Sequence, residues 1–145
     1  MQFAGSQSEG CQPRQSETHV CDLRHLRAVV VDDSPAFLRS LCSFLREHEQ
    51  VQIVGAAESA LDAFPLVEQS RPDIVLIDLQ MPGMNGLEAT ALLRSRHPNT
   101  RVIMVTMHDT PELRQASLEG GAHGFVSKSR LSQDLPDVLH EVMKH

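Results

Sequence analysis

AVVVDDSP, residues 28–35, compresses a whole structural unit into one stretch. Its four apolar residues form a run of strand length with no polar interruption, as in a strand buried on both faces. Two aspartates end the run. Ser34 followed by Pro35 reads as a helix N-cap with proline at the first helical position. Phe37, Leu38, Leu41, Phe44 and Leu45 then recur at helical spacing. Strand, acidic edge and helix follow one another without a spare residue.

The pattern repeats along the chain. VQIVGAA (51–57) is a second strand, and Ser59 opens a second helix with Asp62 three residues on, an approximate capping box. Pro65 inside that helix predicts a kink or a late start near Ala63. DIVLID (73–78) is a third strand, and Asn85 caps a third helix carrying Leu87, Leu92 and Leu93 before Pro98. RVIMVT (101–106) is a fourth strand, with a fourth helix from Thr110-Pro111 to Gly120-Gly121. GFVS (124–127) is a fifth strand. Ser132 is expected to cap a last helix with Pro136 in its first turn and Leu135, Val138, Leu139 and Val142 on its buried face. Such βα alternation implies a parallel sheet with helices on both faces and right-handed crossovers.

The strands also end alike, on polar residues: Asp32 and Asp33, Asp78, Thr106, and Lys128. In neighbouring parallel strands these groups meet at one carboxyl edge, where open α/β sheets bind ligands. Three carboxylates, a hydroxyl and an ammonium suit a hard divalent cation and a phosphoryl group.

Composition narrows the classes. The chain has 145 residues, 41% hydrophobic and 22% charged, enough for one domain with a real core. Aromatics are 3%, with no Trp or Tyr, which argues against stacking platforms for single strands. A formal charge of −6 leaves no basic footprint, so no nucleic acid is expected to bind this chain alone. No apolar run approaches the ~20 residues of a membrane helix, and the N-terminus lacks a secretory pattern; a cytoplasmic protein with no membrane partner is the expectation. Residues 1–24, rich in Gln, Ser, Glu and Gly, read as a disordered tail. The odd cysteine count (Cys11, Cys21, Cys42) does not suggest a disulfide framework, and Cys11, His19 and Cys21 match no zinc spacing. Cys42 reads as a packed thiol. The eight histidines are scattered, with His108 and His123 near the edge of the site.

In its order of DD (32–33), DLQMPGMNG (78–86), Thr106 and Lys128, the chain resembles the receiver domain of bacterial two-component response regulators, across roughly residues 26–144. The resemblance implies a flavodoxin-like (βα)5 three-layer α/β sandwich, with a parallel five-stranded sheet in the order 2-1-3-4-5 and a receiver domain over 25–145. It implies that Asp78 is the phosphoacceptor, served by a sensor histidine kinase or a histidine phosphotransfer protein. Asp33 then resembles the direct Mg²⁺ ligand and Asp32 its neighbour acting partly through water, with Asp78 and the backbone carbonyl of Gln80 completing the protein's metal ligands. Thr106 and Lys128 resemble the groups that hold the phosphoryl. Phe125 falls at the aromatic switch position. Rotation of Phe125 into space vacated by Thr106 would change the surface of the fourth helix, fifth strand and fifth helix, through which a homodimer could form.

Three departures from the family pattern matter. Ser129 follows Lys128 where proline is usual, through a cis bond. A non-proline cis bond costs ~2.5–4 kcal/mol, so either a trans bond with an altered loop or a strained peptide is expected. Met107 follows Thr106 where a small residue is usual, and its bulk is expected to narrow access to Asp78. Gln80 and His108 occupy the variable flanking positions. The expected product is a signalling switch, not an enzyme with an outside product. The chain ends with its fifth helix, so it reads as a single-domain receiver or as the receiver fragment of a DNA-binding transcriptional regulator. The rival is a Mg²⁺-dependent phosphatase with an aspartyl-phosphate intermediate, but such enzymes commonly carry a second acid where this chain has Gln80.

Overall fold

The computed structural model describes residues 26–48 and 50–144. The tail over 1–24, with Cys11, His19 and Cys21, lies outside the described residues. The elements run β1 (Leu26–Val31), α1 (Pro35–Arg46), β2 (Val51–Ala57), α2 (Ala60–Ser70), β3 (Ile74–Asp78), α3 (Gly86–Arg96), β4 (Arg101–Thr106), α4 (Pro111–Glu119), β5 (Gly124–Ser127) and α5 (Leu131–Met143), with a 3-10 turn at Lys128–Arg130 before α5. All pairings are parallel and the sheet order is β2-β1-β3-β4-β5, as the resemblance implied.

The uninterrupted apolar runs have a direct cause. Ala28 and Val30 face a core shared with Leu38, Leu41 and Leu45 of α1 and Leu135, Leu139 and Val142 of α5. Val29 and Val31 face the opposite core, with Ala60, Ala63 and Val67 of α2, Ala89 and Leu93 of α3, and Phe125. Both faces of β1 are therefore dry, and so are those of β3, all five of whose residues are buried. Fully burying a Val or Leu side chain is worth roughly 1.5–3 kcal/mol, so alternation with polar residues would be selected against on either face.

Helix starts follow their caps. Ser34 Oγ accepts from Phe37 N at 3.2 Å, Ser59 Oγ from Asp62 N at 3.1 Å and Thr110 Oγ1 from Leu113 N at 3.1 Å. Asn85 and Glu88 exchange both bonds of a full capping box. Each cap contributes ~1 kcal/mol.

Three expectations are corrected. The second helix has no late start near Ala63: it runs from Ala60 through Pro65. A proline inside a helix costs ~3 kcal/mol, but Ala60, Ala63 and Val67 are buried against the sheet, and that face outweighs one lost donor. Ser132 is not the cap of the last helix. The 3-10 turn feeds the chain directly into Leu131, so Arg130 holds the cap position without a side-chain bond and Pro136 falls inside the helix. Finally, Cys42 is buried as expected but is disulfide-bonded, not a free thiol.

Candidate functional site

Register assembles the acids. Val31 of β1 lies opposite Ile77 of β3, so the next residues, Asp32 and Asp78, leave adjacent strands side by side. Asp78 lies opposite Val105, and Thr106 opposite Ser127, so Thr106 and Lys128 emerge on the same edge one and two strands further on. Carboxylate oxygens of Asp32, Asp33 and Asp78 lie within 4.8 Å of one another, a group that could hold a metal ion.

Lys128 crosses the sheet edge to reach them. Its Nζ lies 2.8 Å from Asp32 Oδ2 and 3.4 Å from Asp78 Oδ2. The three side chains are nearly dry, at 8% exposure for Lys128, 1% for Asp32 and 6% for Asp78, so this is a buried ion triad, not a surface pair. Asp32 Oδ1 accepts from Ser34 N at 2.9 Å, and Asp78 Oδ1 from Gln80 N at 3.2 Å. Asp32 Oδ2 has the lysine's charge beside it but no well-directed hydrogen bond. Asp33 is exposed, so it forms the solvent side of the cluster.

Burial pushes the Asp78 carboxyl up from 3.8 to about 6, and the neighbouring Asp32 charge adds to the rise. The lysine and the Gln80 N–H act in the opposite sense but do not cancel it. A carboxylate held against its preference for protonation, beside two others, calls for a cation. Hard oxygen donors clustered this tightly fit Mg²⁺, which accepts few protein ligands and keeps several waters.

The loop after Asp78 is pressed onto the site. Gly86 N donates to Leu79 O at 2.8 Å. A Cβ at Gly86 would stand 2.6 Å from the Asp78 carbonyl oxygen, so only glycine lets α3 start this close to the Asp78 backbone. Gly83 takes φ +77° in the turn between them.

The remaining residues are placed as follows. Thr106 is fully buried and its Oγ1 accepts from His108 N at 3.0 Å. Phe125 is buried among the core residues on the α4 side, with the Arg114 guanidinium 4.6 Å from its ring centroid. Arg114 also pairs with Asp109 at 3.2 Å. Gln80 and His108 are exposed, and Met107 is 65% exposed at the rim. The Lys128–Ser129 bond is trans, since the chain has no cis peptide among the described residues. The altered loop is the 3-10 turn, where the Ser129 hydroxyl meets that of Ser127, the last residue of β5, at 2.9 Å. His123 stands apart from the acids: its Nδ1 accepts from Val102 N at 3.1 Å, extending the sheet's bonding at the start of β4. Although the residue as a whole is exposed, desolvation of its ring lowers the His123 pKa, assisted by Arg94 and Arg101, which keeps that nitrogen a free acceptor. One contact was not read from the sequence. The Phe37 ring lies against Lys128 Nζ; its position one helical turn after Asp33 was the signal available for it.

The family model described as "Response regulator receiver domain" matches residues 28–140. Among curated proteins, the chain is 37% identical over 119 residues to a "Probable transcriptional regulatory protein NarL" of Mycobacterium tuberculosis, covering 82% of this chain and 55% of that protein. The chain thus spans about half the length of the curated relatives it matches. Among solved structures, the signal receiver domain of the putative response regulator NarL from Mycobacterium tuberculosis superposes with a TM-score of 0.77 at 33% identity, covering 85% of this chain and all of that one. The isolated REC domain of RcsB from Salmonella enterica serovar Typhimurium, solved in the presence of phosphomimetic BeF3-, gives a TM-score of 0.77 at 25% identity over 83% of this chain and 90% of that one.

Proposed function

Since the chain belongs to the response regulator receiver domain family of two-component signalling, we propose that it is a phosphorylation switch whose acceptor is Asp78. The reading rests above all on one observation: three carboxylates within 4.8 Å of one another, with the ammonium of Lys128 bridging two of them.

The donor is a phosphohistidine of a sensor kinase or phosphotransfer protein. An Asp78 carboxylate oxygen attacks phosphorus, the P–N bond breaks, and the imidazole leaves with the electron pair. Phosphoryl transfer is chiefly positioning and charge stabilisation. Asp32, Asp33, Asp78 and the Gln80 carbonyl would hold Mg²⁺. When bound, the ion supplies positive charge where two carboxylates ~4 Å apart otherwise repel by about 4 kcal/mol at an effective dielectric of 20. Lys128 exchanges Asp32 for a phosphoryl oxygen. The Thr106 hydroxyl, buried and engaged with the His108 N–H, donates its proton to another. Two charge-assisted bonds of roughly 1.5–3 kcal/mol each approach the ~5.5 kcal/mol that carries a two-state switch from 1:99 to 99:1.

The output is a rearranged α4–β5–α5 surface, with Phe125 as its internal lever and a homodimer or partner protein as its reader. This is a switch acting on itself, without an outside product. The phosphatase alternative has Gln80 where a second acid is needed, and its exposed carboxamide cannot act as a general acid. No helix among the described residues is long and apolar enough to cross a membrane, and a cytoplasmic setting fits the kinase chemistry. The NarL relative's name points to transcription control as the use of such a switch; contact with DNA would come through an output domain, not through this acidic surface.

Addition of beryllofluoride and Mg²⁺ to the wild type should shift amide resonances around Asp78, Thr106 and Lys128, and the shifts should vanish in Asp78→Asn. An unmoved wild-type spectrum, or shifts that persist in the variant, rejects the assignment. Met107→Ala should open the rim and raise both phosphorylation by acetyl phosphate and subsequent hydrolysis on the order of threefold, ~0.7 kcal/mol of barrier. Unchanged rates would show that the exposed methionine does not restrict access.

A further inference from the structure

Lys128 has a third neighbour besides its two carboxylates. Its Nζ lies 4.3 Å from the centroid of the Phe37 ring, a distance at which an ammonium is attracted to the aromatic face. An ammonium carries three donors and no acceptor. Asp32 and Asp78 engage it on one side, and the ring closes another side that water would otherwise occupy.

The ring is tied to the acid beside it. Asp32 Oδ1 accepts from Ser34 N, and Ser34 Oγ accepts from Phe37 N. A shift of the first turn of α1 would therefore move Asp32 and the ring together. From below, Phe37 packs on the core shared by α1 and α5. The aromatic face also suits a lysine that must change partners. A carboxylate or a buried amide in its place would compete with the phosphoryl for the ammonium. A ring face attracts the charge without offering a directed lone pair.

We propose that Phe37 is a positioning residue for phosphoryl transfer, its ring face holding the Lys128 ammonium over Asp78 while leaving it free to pass from Asp32 to the phosphoryl group. The proposal rests on the assignment of Asp78 as acceptor, and the two can fail separately. If the wild type forms no acyl phosphate with acetyl phosphate and Mg²⁺, that assignment fails. If the wild type is phosphorylated but Phe37 variants behave as wild type, only the positioning role fails.

The test is a double-mutant cycle in saturating Mg²⁺. Phe37→Leu keeps apolar bulk and removes the π face. It should slow phosphorylation by acetyl phosphate about fivefold, equivalent to ~1 kcal/mol of barrier, while Phe37→Tyr keeps most of the rate. In a Lys128→Met background, Phe37→Leu should cause no further slowing, because the ring acts through the lysine. An equal slowing in both backgrounds would mean that Phe37 matters only as packing, and overturns the proposal. A second measurement does not depend on turnover or on the stability of the double variant. In the unphosphorylated protein, the Lys128 ε-methylene protons should be shifted upfield by the ring in wild type and Phe37→Tyr, and return to ordinary positions in Phe37→Leu. Identical lysine shifts in all three proteins would also overturn it.

Discussion

Replacing Asp78 by asparagine should make the metal-free protein more stable at pH 7, by about 2 kcal/mol, although the same substitution removes the proposed phosphoacceptor. The cause is the raised carboxyl of Asp78, at about 6 against an ordinary 3.8, set first by burial and then by Asp32. At 1.36 kcal/mol per unit, ionised Asp78 opposes folding by ~3 kcal/mol at most, and ~2 kcal/mol after allowance for solvent reaching the cluster beside exposed Asp33. The sign follows from proton binding. Between pH 3.8 and about 6 the folded chain holds a proton on Asp78 that the unfolded chain has released, so this group makes stability fall as pH rises through that window and stay low above it. Urea unfolding in the presence of a chelator, at pH 4.5 and pH 7, should show a fall in wild type that is smaller in Asp78→Asn. Saturating Mg²⁺ should reverse the order of the two proteins at pH 7. Parallel pH profiles for the two would refute the strain.

Lys128→Met should act in the opposite direction, with a loss of about 3 kcal/mol at pH 7 without metal. The lysine is the one cation within ion-pair distance of Asp32 and Asp78 among the described residues, and all three side chains are almost fully buried. Removing one partner from a buried pair typically costs 3–5 kcal/mol, because the survivors keep their desolvation and lose their compensation. The lower end applies here, since Asp78 can take up a proton and relieve the repulsion. For the same reason the loss should shrink at pH 5, and Mg²⁺ should recover most of it. Denaturant midpoints with and without Mg²⁺ measure both effects. A loss below ~1 kcal/mol would mean that the triad is better solvated than its burial suggests.

What could be read without coordinates divides along physical lines. Strands buried on both faces announce themselves, because AVVV and IVLI have no water-facing side on which to place a polar residue. The acids and the lysine were legible for the same reason: a charged residue ending such a run must have a partner. The helix boundaries that failed were those decided by competition. Pro65 is tolerated because the buried face of α2 outweighs one missing donor, and Ser132 loses its cap role to a 3-10 turn that no local residue announces. Phe37 and His123 show a different limit. Periodicity assigns Phe37 to the inner face of α1 but cannot say that the face ends under an ammonium. Nothing local says that a histidine ring will stand in for a backbone carbonyl at Val102. Such roles arise from what lies across the fold.

The strand order carries one more consequence. Both acid-bearing strands, β1 and β3, are hemmed in by a neighbour on each flank, whereas Lys128 follows β5, which has an open flank. Lys128 pairs with Asp32 and Asp78 across the sheet edge, so a change at the acids is felt at the β5 margin. The β2 margin contributes none of the assigned groups. The groups that respond to the acids thus lie towards one border of the sheet and not the other, and insertions around β2 and α2 should leave signalling intact where equal changes around β5 would not.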